Sequence, residues 1–266
     1  MPVECDVALN RIGQEKFHAI DKRVMRHAFD IHNTLGRFCD EKIYQAELAQ
    51  CCRNSDLEVH REVPLRVVYQ DFSKLYYLDL VVEHCVIYEL KTVEALIRYH
   101  QQQLINYLLL AGLKHGKLIN FRAGSVESWF VSTTLDLGAR IVDNVDTIRW
   151  KGDDKTSRRL KEVLIGLLAD WGSFLDLDLY KEAILHFLHE QGGNICPVEI
   201  EVNGRMAGRQ KMCLLCDGTA WHISALRQGI KTYETHMTRL LCHTRLSRIH
   251  WINLNRRSVS LATITK

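Results

Sequence analysis

No stretch of about 18 consecutive apolar residues occurs in the 266-residue chain, which removes a membrane-spanning helix from consideration. The opening residues, MPVECDVALNR, hold no apolar signal core, so the expected location is the cytoplasm or nucleoid. A disulfide framework is also missing. The nine cysteines are an odd number, and most stand among apolar residues, where a thiol behaves as a small hydrophobe. Cys213-Leu-Leu-Cys216 has zinc-knuckle spacing but no second CxxC, and it lies in a run that reads as a strand, so its expected role is core packing. Excess charge of one sign is scarce as well. A formal net charge of +3 permits a nucleic-acid partner without announcing one. No arginine-rich helix or zinc finger marks a base-reading element.

What is present is ordinary globular composition, 47% hydrophobic and 25% charged, in a chain long enough for one large domain or two smaller ones. Ile20, Val24, Ala28, Ile31 and Leu35 recur at three and four and predict a helix over 15–35, ended by Gly36. Asp40 is placed to cap a second helix running to about Cys52. Residues 59–69 read as a strand, 76–91 as a hairpin, 95–111 as a helix closed by Gly112, and 117–121 and 126–132 as two further strands. Helices flanking a small mixed sheet make the class α/β.

The polar run WKGDDKTSRR, 150–159, reads as a linker or an exposed helix start, giving expected domains of 1–150 and 151–266. Beyond it the pattern begins again. Gly36…Tyr44 is echoed by Gly172…Tyr180 and His100…Leu104 by His236…Leu240 at an offset of 136, and Lys117…Phe121 by His250…Leu254 at 133. Three echoes in one order predict an internal duplication.

The stretch YLDLVVEHCVIYELKTVE, 77–94, holds charge where an apolar hairpin needs none: Asp79 on one arm, Glu89 and Lys91 on the other. Side chains alternate along a strand, so register decides whether these acids meet. A two-residue turn at Glu83-His84 sets Asp79 opposite Tyr88 and separates the carboxylates. A three-residue loop, Glu83-His84-Cys85, sets Val82 against Val86 and Asp79 against Glu89, with Lys91 on the same side.

In that second register two carboxylates would hold a hard cation, Mg²⁺ with Mn²⁺ able to substitute. The cation would neutralise a scissile phosphate and acidify its water, and Lys91 would orient that water and stabilise charge developing on phosphorus. Glu41, which shares a helix face with Tyr44, is a third candidate ligand. Gln103 and Tyr107, four apart on the following helix, are placed to steady phosphate, water or lysine. His100, Lys114, His115 and Lys117 are candidate contacts to a nucleic-acid backbone. The D…ExK spacing by itself is loose, and strand-end charges commonly form a solvated rim. Apolar neighbours in VVEHCVIYELK make unpaired acids costly there, which favours a site.

IHNTLGRFCDEKIYQAEL (31–48), HREVPLRVVY (60–69), YLDLVVEHCVIYELKTVEAL (77–96) and HQQQLINYLLLAGLKHGKLINF (100–121) together resemble the GxxExxY family, a branch of the PD-(D/E)xK nuclease-like superfamily. The resemblance implies a restriction-endonuclease-like core, nuclease chemistry and Mg²⁺. By it, Asp79, Glu89 and Lys91 fall on the D…ExK signature, Glu41 on the helical acid, and Gln103 and Tyr107 on the QxxxY pair. One departure is Phe38, which stands where the family pattern has glycine; it cannot take positive φ cheaply, so the turn before the second helix is expected to differ. The four-cysteine iron–sulfur arrangement of some superfamily exonucleases is not apparent.

Residues 160–260 resemble a degenerate second copy. At an offset of 133, Met212 falls at Asp79, His222 at Glu89 and Ser224 at Lys91, while Leu177 meets Glu41. Three functions stay open at this point. One is a metal-dependent nuclease acting on DNA ahead of RNA. The second is a nucleic-acid-binding protein that kept the fold. The third is a structural or regulatory module whose halves pair intramolecularly, with or without a homodimer.

Overall fold

A computed structural model describes residues 3–266, which divide into two compact units, one running to Asp136 and the other Leu137–Lys266. The first contains β1 (Val3–Cys5), α1 (Gln14–Leu35), α2 (Glu41–Asn54), β2 (Val59–Tyr69), β3 (Phe72–Val82), β4 (Val86–Lys91), α3 (Arg98–Ala111), β5 (His115–Asn120) and β6 (Glu127–Ser132). The second contains α4 (Leu137–Arg140), β7 (Asn144–Arg149), α5 (Lys155–Trp171), α6 (Leu177–Leu188), a 3-10 turn (His189–Gln191), β8 (Asn194–Val202), β9 (Arg205–Cys216), β10 (Thr219–Ser224), α7 (Ile230–Cys242), β11 (Arg248–Asn255) and β12 (Ser258–Thr265). The break at Asp136 precedes the expected linker because β7 pairs with β12 and so belongs to the second sheet.

Among the described residues each unit has one six-stranded sheet, ordered β1-β2-β3-β4-β5-β6 and β7-β12-β11-β10-β9-β8. In both, a pair of hairpins leads into a helix and a parallel strand: β4 pairs parallel with β5, and β10 with β11. Only the added edge strand differs, β1 lying beside β2 and β7 beside β12. The α/β class is as the sequence led us to expect, and the two matching sheets fit a duplication.

In the first unit the predicted stripe on α1 is buried at Ile20, Val24, Ala28 and Ile31, whereas Leu35 is left exposed at the last turn. Together with α2, α1 packs over Leu80, Val82, Val86, Tyr88 and Leu90. The opposite face of the sheet is covered by α3, whose Leu104 sits over Gly116 of β5. A Cβ on Gly116 would come within 3.1 Å of Leu104 Cδ1 and 2.9 Å of the Ile87 carbonyl oxygen, so only glycine admits the helix this closely. Gly116 pairs with Ile87, and Ile87 shares its pleat face with Glu89 and Lys91. The helix therefore roofs the face that carries the charged residues.

Two of the three echoes in sequence correspond to shared contacts. Tyr44 Oη donates to the Gly36 carbonyl at 2.7 Å and Tyr180 Oη to the Gly172 carbonyl at 2.6 Å. Asn120 exchanges hydrogen bonds with the main chain of Val93, and Asn253 with that of Leu226. Lys117 ties β5 to Asp21 of α1, and His250 ties β11 to Ser157 of α5.

Candidate metal centre

The β3–β4 hairpin has the register that a shared site requires. Val82 pairs with Val86, Val81 with Ile87 and Leu80 with Tyr88, so the next step sets Asp79 against Glu89. The loop holds three residues without glycine. Glu83 and His84 both take positive φ, 52° and 56°, and the Cys85 amide returns to the Val82 carbonyl at 3.1 Å. Past Leu80 the main-chain ladder gives way to side-chain bonding. The Leu90 amide donates to Asp79 Oδ2 at 2.8 Å, which fixes that carboxylate at the point where the arms part.

Glu89 is 2% exposed. Its Oε1 accepts from Lys91 Nζ at 2.8 Å, and its Oε2 is buried with no hydrogen-bond partner. Burial first, then the neighbouring Asp79 carboxylate, pushes the Glu89 carboxyl up to about 8. Burial likewise raises Asp79 to about 6, against the Leu90 amide and Lys91, which favour its charge; Glu41 and Glu62 add to the rise. Burial alone would lower the Lys91 ammonium, but Glu89, Glu41 and Asp79 outweigh it and hold it above its ordinary value. Lys91 is therefore a fixed cation and not a proton acceptor near neutrality.

Glu41 opens α2 and is close enough to the cluster to perturb Asp79, Glu89 and Lys91. One helical turn on, Gln45 donates to the Asp79 carbonyl at 3.0 Å and to Glu62 Oε1 at 2.7 Å, while Arg61 donates to Gln45 Oε1 at 3.2 Å. From α3, Gln103 Nε2 donates to Tyr107 Oη at 3.0 Å. Burial, then Glu89, raises the Tyr107 phenol to about 12, so it stays a neutral donor beside the acids.

The structure thus gathers Glu41, Asp79, Glu89, Lys91 and the Gln103–Tyr107 pair. It does not gather all four of the expected backbone contacts. His100 Nδ1 accepts from the Ile97 amide at 3.1 Å and caps α3, although it remains within electrostatic reach of Lys91. Lys114 is exposed. His115 stacks on Phe130 and meets Phe17, and Lys117 is paired with the buried Asp21; both project toward α1, away from Glu89. Phe38 is 75% exposed, with the guanidinium of Arg37 5.0 Å above its ring. The turn it was expected to alter is made instead at Gly36, φ 70° and ψ −151°, so α2 begins at Glu41 without demanding positive φ at 38. Cys213 and Cys216 are free thiols in β9.

Two site residues escaped sequence reasoning. Gln45 carried a weak signal, since it lies four after Glu41 on one helix face. Glu62 carried none: it stands opposite Asp79 only through strand pairing, with an unusual φ of 49°.

Chemically, the donor set fits a hard divalent cation. A buried carboxylate oxygen lacks a partner, and two carboxyls destabilise each other's charge in a low-dielectric setting. A cation between them would satisfy both conditions.

A mixed sheet roofed by helices, with a D…ExK cluster at the splay of a central hairpin, is a restriction-endonuclease-like arrangement. Residues 18–130 match a family model described as the PD-(D/E)XK nuclease superfamily. The matched span lies wholly within the first unit and includes every residue of the cluster. No curated protein and no solved structure matches the chain. Among the described residues no helix is long and apolar enough to cross a membrane.

Proposed function

We propose that the first unit is a metal-dependent nuclease of the GxxExxY type, hydrolysing phosphodiesters of DNA ahead of RNA, and that the second unit is a degenerate copy. The observation that carries this reading is the partnerless, buried Oε2 of Glu89 beside Asp79 in a register that brings the two carboxyls to one face. Asp79 and Glu89 would hold the cation, with Glu41 as third acid. Mg²⁺ or Mn²⁺, when bound, would polarise the phosphate and lower the pKa of a water.

The chain's own groups do the rest. Lys91, held as a cation by Glu89, aims positive charge at the phosphate oxygens and orients the attacking water. Gln103 keeps the Tyr107 hydroxyl aimed at the cluster, where it can donate to phosphate. Gln45 holds the Asp79 main chain, so the carboxylate keeps its place when the cation is exchanged. The second unit retains the frame but offers Met212, His222 and Ser224 at the equivalent positions, a set unsuited to a hard cation.

The test is calorimetric titration of the full chain with Mg²⁺ and Mn²⁺, paired with cleavage assays on single-stranded, double-stranded and branched DNA and on RNA. The wild type should bind and cut, and Lys91→Ala should bind but not cut. Binding of nucleic acid and metal with no cleavage of any substrate would favour a binding module that kept the fold. Absence of metal binding would end the nuclease reading.

A further inference from the structure

A second cluster occupies the other end of the same hairpin. Glu58 precedes β2, His60 is its second residue, and His84 lies in the β3–β4 loop. Glu58 Oε1 stands 2.8 Å from His84 Nε2 and 3.1 Å from His60 Nε2, with the imidazole centroids 5.0 Å apart. One ligand atom from each residue lies within 4.8 Å of the other two. Zinc bonds of about 2.0–2.1 Å in a tetrahedron put ligand atoms about 3.3 Å apart, so these groups need only small adjustments to share an ion.

The main chain holds this arrangement. The Glu83 amide donates to the Glu58 carbonyl at 2.9 Å, and the Glu58 amide donates to Glu83 Oε1 at 2.7 Å. The His84 carbonyl accepts from the Asn10 amide at 2.8 Å. Glu58 and His60, two apart, project to one side of the strand. Among the described residues no further strand lies outside them, because β1 covers β2 only at 65–67.

We infer that Glu58, His60 and His84 form a zinc-class transition-metal site, separate from the acidic centre, that staples the start of β2 to the hairpin loop. Two imidazoles and one carboxylate suit Zn²⁺ and its neighbours and not Mg²⁺, which prefers oxygen alone. Three protein ligands leave one position for water. His84 sits in the loop beyond the end of β3 at Val82, and Asp79 lies three residues back along that strand, about 10 Å at strand rise, so an ion held by His84 does not reach Asp79. The loop that the ion would grip is the one that sets the Asp79–Glu89 register.

Zn²⁺ titration in millimolar Mg²⁺, followed by calorimetry and by the shift in melting temperature, tests the assignment. His84→Asn suits the positive φ of 56°, and His60→Gln is its companion. Both should melt with the wild type when metal-free, lose Zn²⁺ affinity by about tenfold or more, and lose the zinc-induced rise in melting temperature. Glu89→Gln should keep both. Co²⁺ bound to the wild type should show ligand-field bands without thiolate charge transfer, since the ligands are nitrogen and oxygen. Wild-type affinity in both histidine variants, loss of zinc in Glu89→Gln, or a thiolate signature would each overturn the site.

Discussion

The two units share a frame and differ in what they place on it. On β4 the pleat face beneath α3 carries Glu89 and Lys91; on β10 the equivalent positions carry His222 and Ser224. The parallel pairing with the following strand is the same. Glu89 pairs with Leu118 and His222 with Trp251, while Lys91 pairs with Asn120 and Ser224 with Asn253. In the second unit His222 bonds the Tyr233 hydroxyl at 2.6 Å and Ser224 bonds Asn253 at 2.8 Å, so these groups find partners within the protein. In the first unit Glu89 Oε2 does not. The difference separates scaffold from chemistry: the asparagine and tyrosine ties stay, and the acids change.

The sharpest way to break this comparison is functional. Lys91→Ala should lower metal-dependent cleavage about 10³-fold, the scale seen when a single preorganised donor to a transition-state oxygen is lost. Ser224→Ala, at the equivalent position, should leave the rate within about twofold, because it touches neither phosphate nor metal in the proposed scheme. Equal losses in single-turnover assays would mean that the second unit shares in the chemistry.

A second contrast concerns the ties between the first helix and the parallel strand. Lys117–Asp21 is a buried ion pair, whereas His250–Ser157 is a buried hydrogen bond between groups that need carry no charge. Lys117→Ala strands a buried carboxylate and should cost about 3–5 kcal/mol. His250→Ala should cost less, about 1–3 kcal/mol from the unmade hydrogen bond, plus packing lost against Trp150. Chemical denaturation reads both. Recovery of most of the loss in Lys117→Met with Asp21→Leu would confirm that the stranded charge, and not the missing side chain, is responsible.

The units should also respond oppositely to pH when metal-free. Glu89 is raised from 4.5 to about 8. Below its unfolded range it is protonated in both states; as pH climbs toward about 8 only the unfolded chain sheds the proton, so the first unit loses stability across that window. Buried His250 is lowered from 6.5 to about 4, by burial first and then by Arg248. Above 6.5 it is neutral in both states; as pH falls toward about 4 only the unfolded chain gains the proton, so the second unit loses stability on the acid side. Hydrogen exchange resolved by unit should show the crossing. Glu89→Gln should remove its part of the first slope and stabilise the metal-free first unit at pH 8. By the same protonation, Mg²⁺ affinity in the wild type should tighten from pH 6 to 8 with release of a proton.

The helices and central strands were legible because their apolar periods are long and end at residues with a clear reason to stop, such as Gly36 and Gly112. The acids were legible because charge in an apolar hairpin is costly, which made register the deciding question. What stayed hidden came from tertiary pairing. β1 and β7 are short edge strands whose partners lie far along the chain. Glu62 enters the site through a local distortion of β2, and the burial of Lys117 depends on which helix covers its face. The Glu58–His60–His84 cluster needed the hairpin loop folded back on the start of β2, with two non-glycine residues at positive φ.

The smallest effect expected is at Phe38. A glycine there would complete the GxxExxY pattern that the sequence resembles, yet the ring is exposed, positive φ falls at Gly36 instead, and the loop is tied down by Tyr44, which donates to Gly36 and accepts from the Cys39 amide at 3.2 Å. The second unit makes the corresponding turn with Phe174 at φ 71°, in addition to Gly172 at 73°. Positive φ at that third position is therefore used in one unit and not in the other. Phe38→Gly gives the first loop freedom it does not use and should cost about 0.5–1 kcal/mol through unfolded-chain entropy, with cleavage unchanged. Phe174→Gly relieves a residue held in the left-handed region, so it should be neutral or stabilising once the lost packing is counted. Opposite signs for the two substitutions in denaturant melts would show that the turns diverged in backbone while Tyr44 and Tyr180 kept the same anchor; equal signs would mean that the left-handed Phe174 carries no strain.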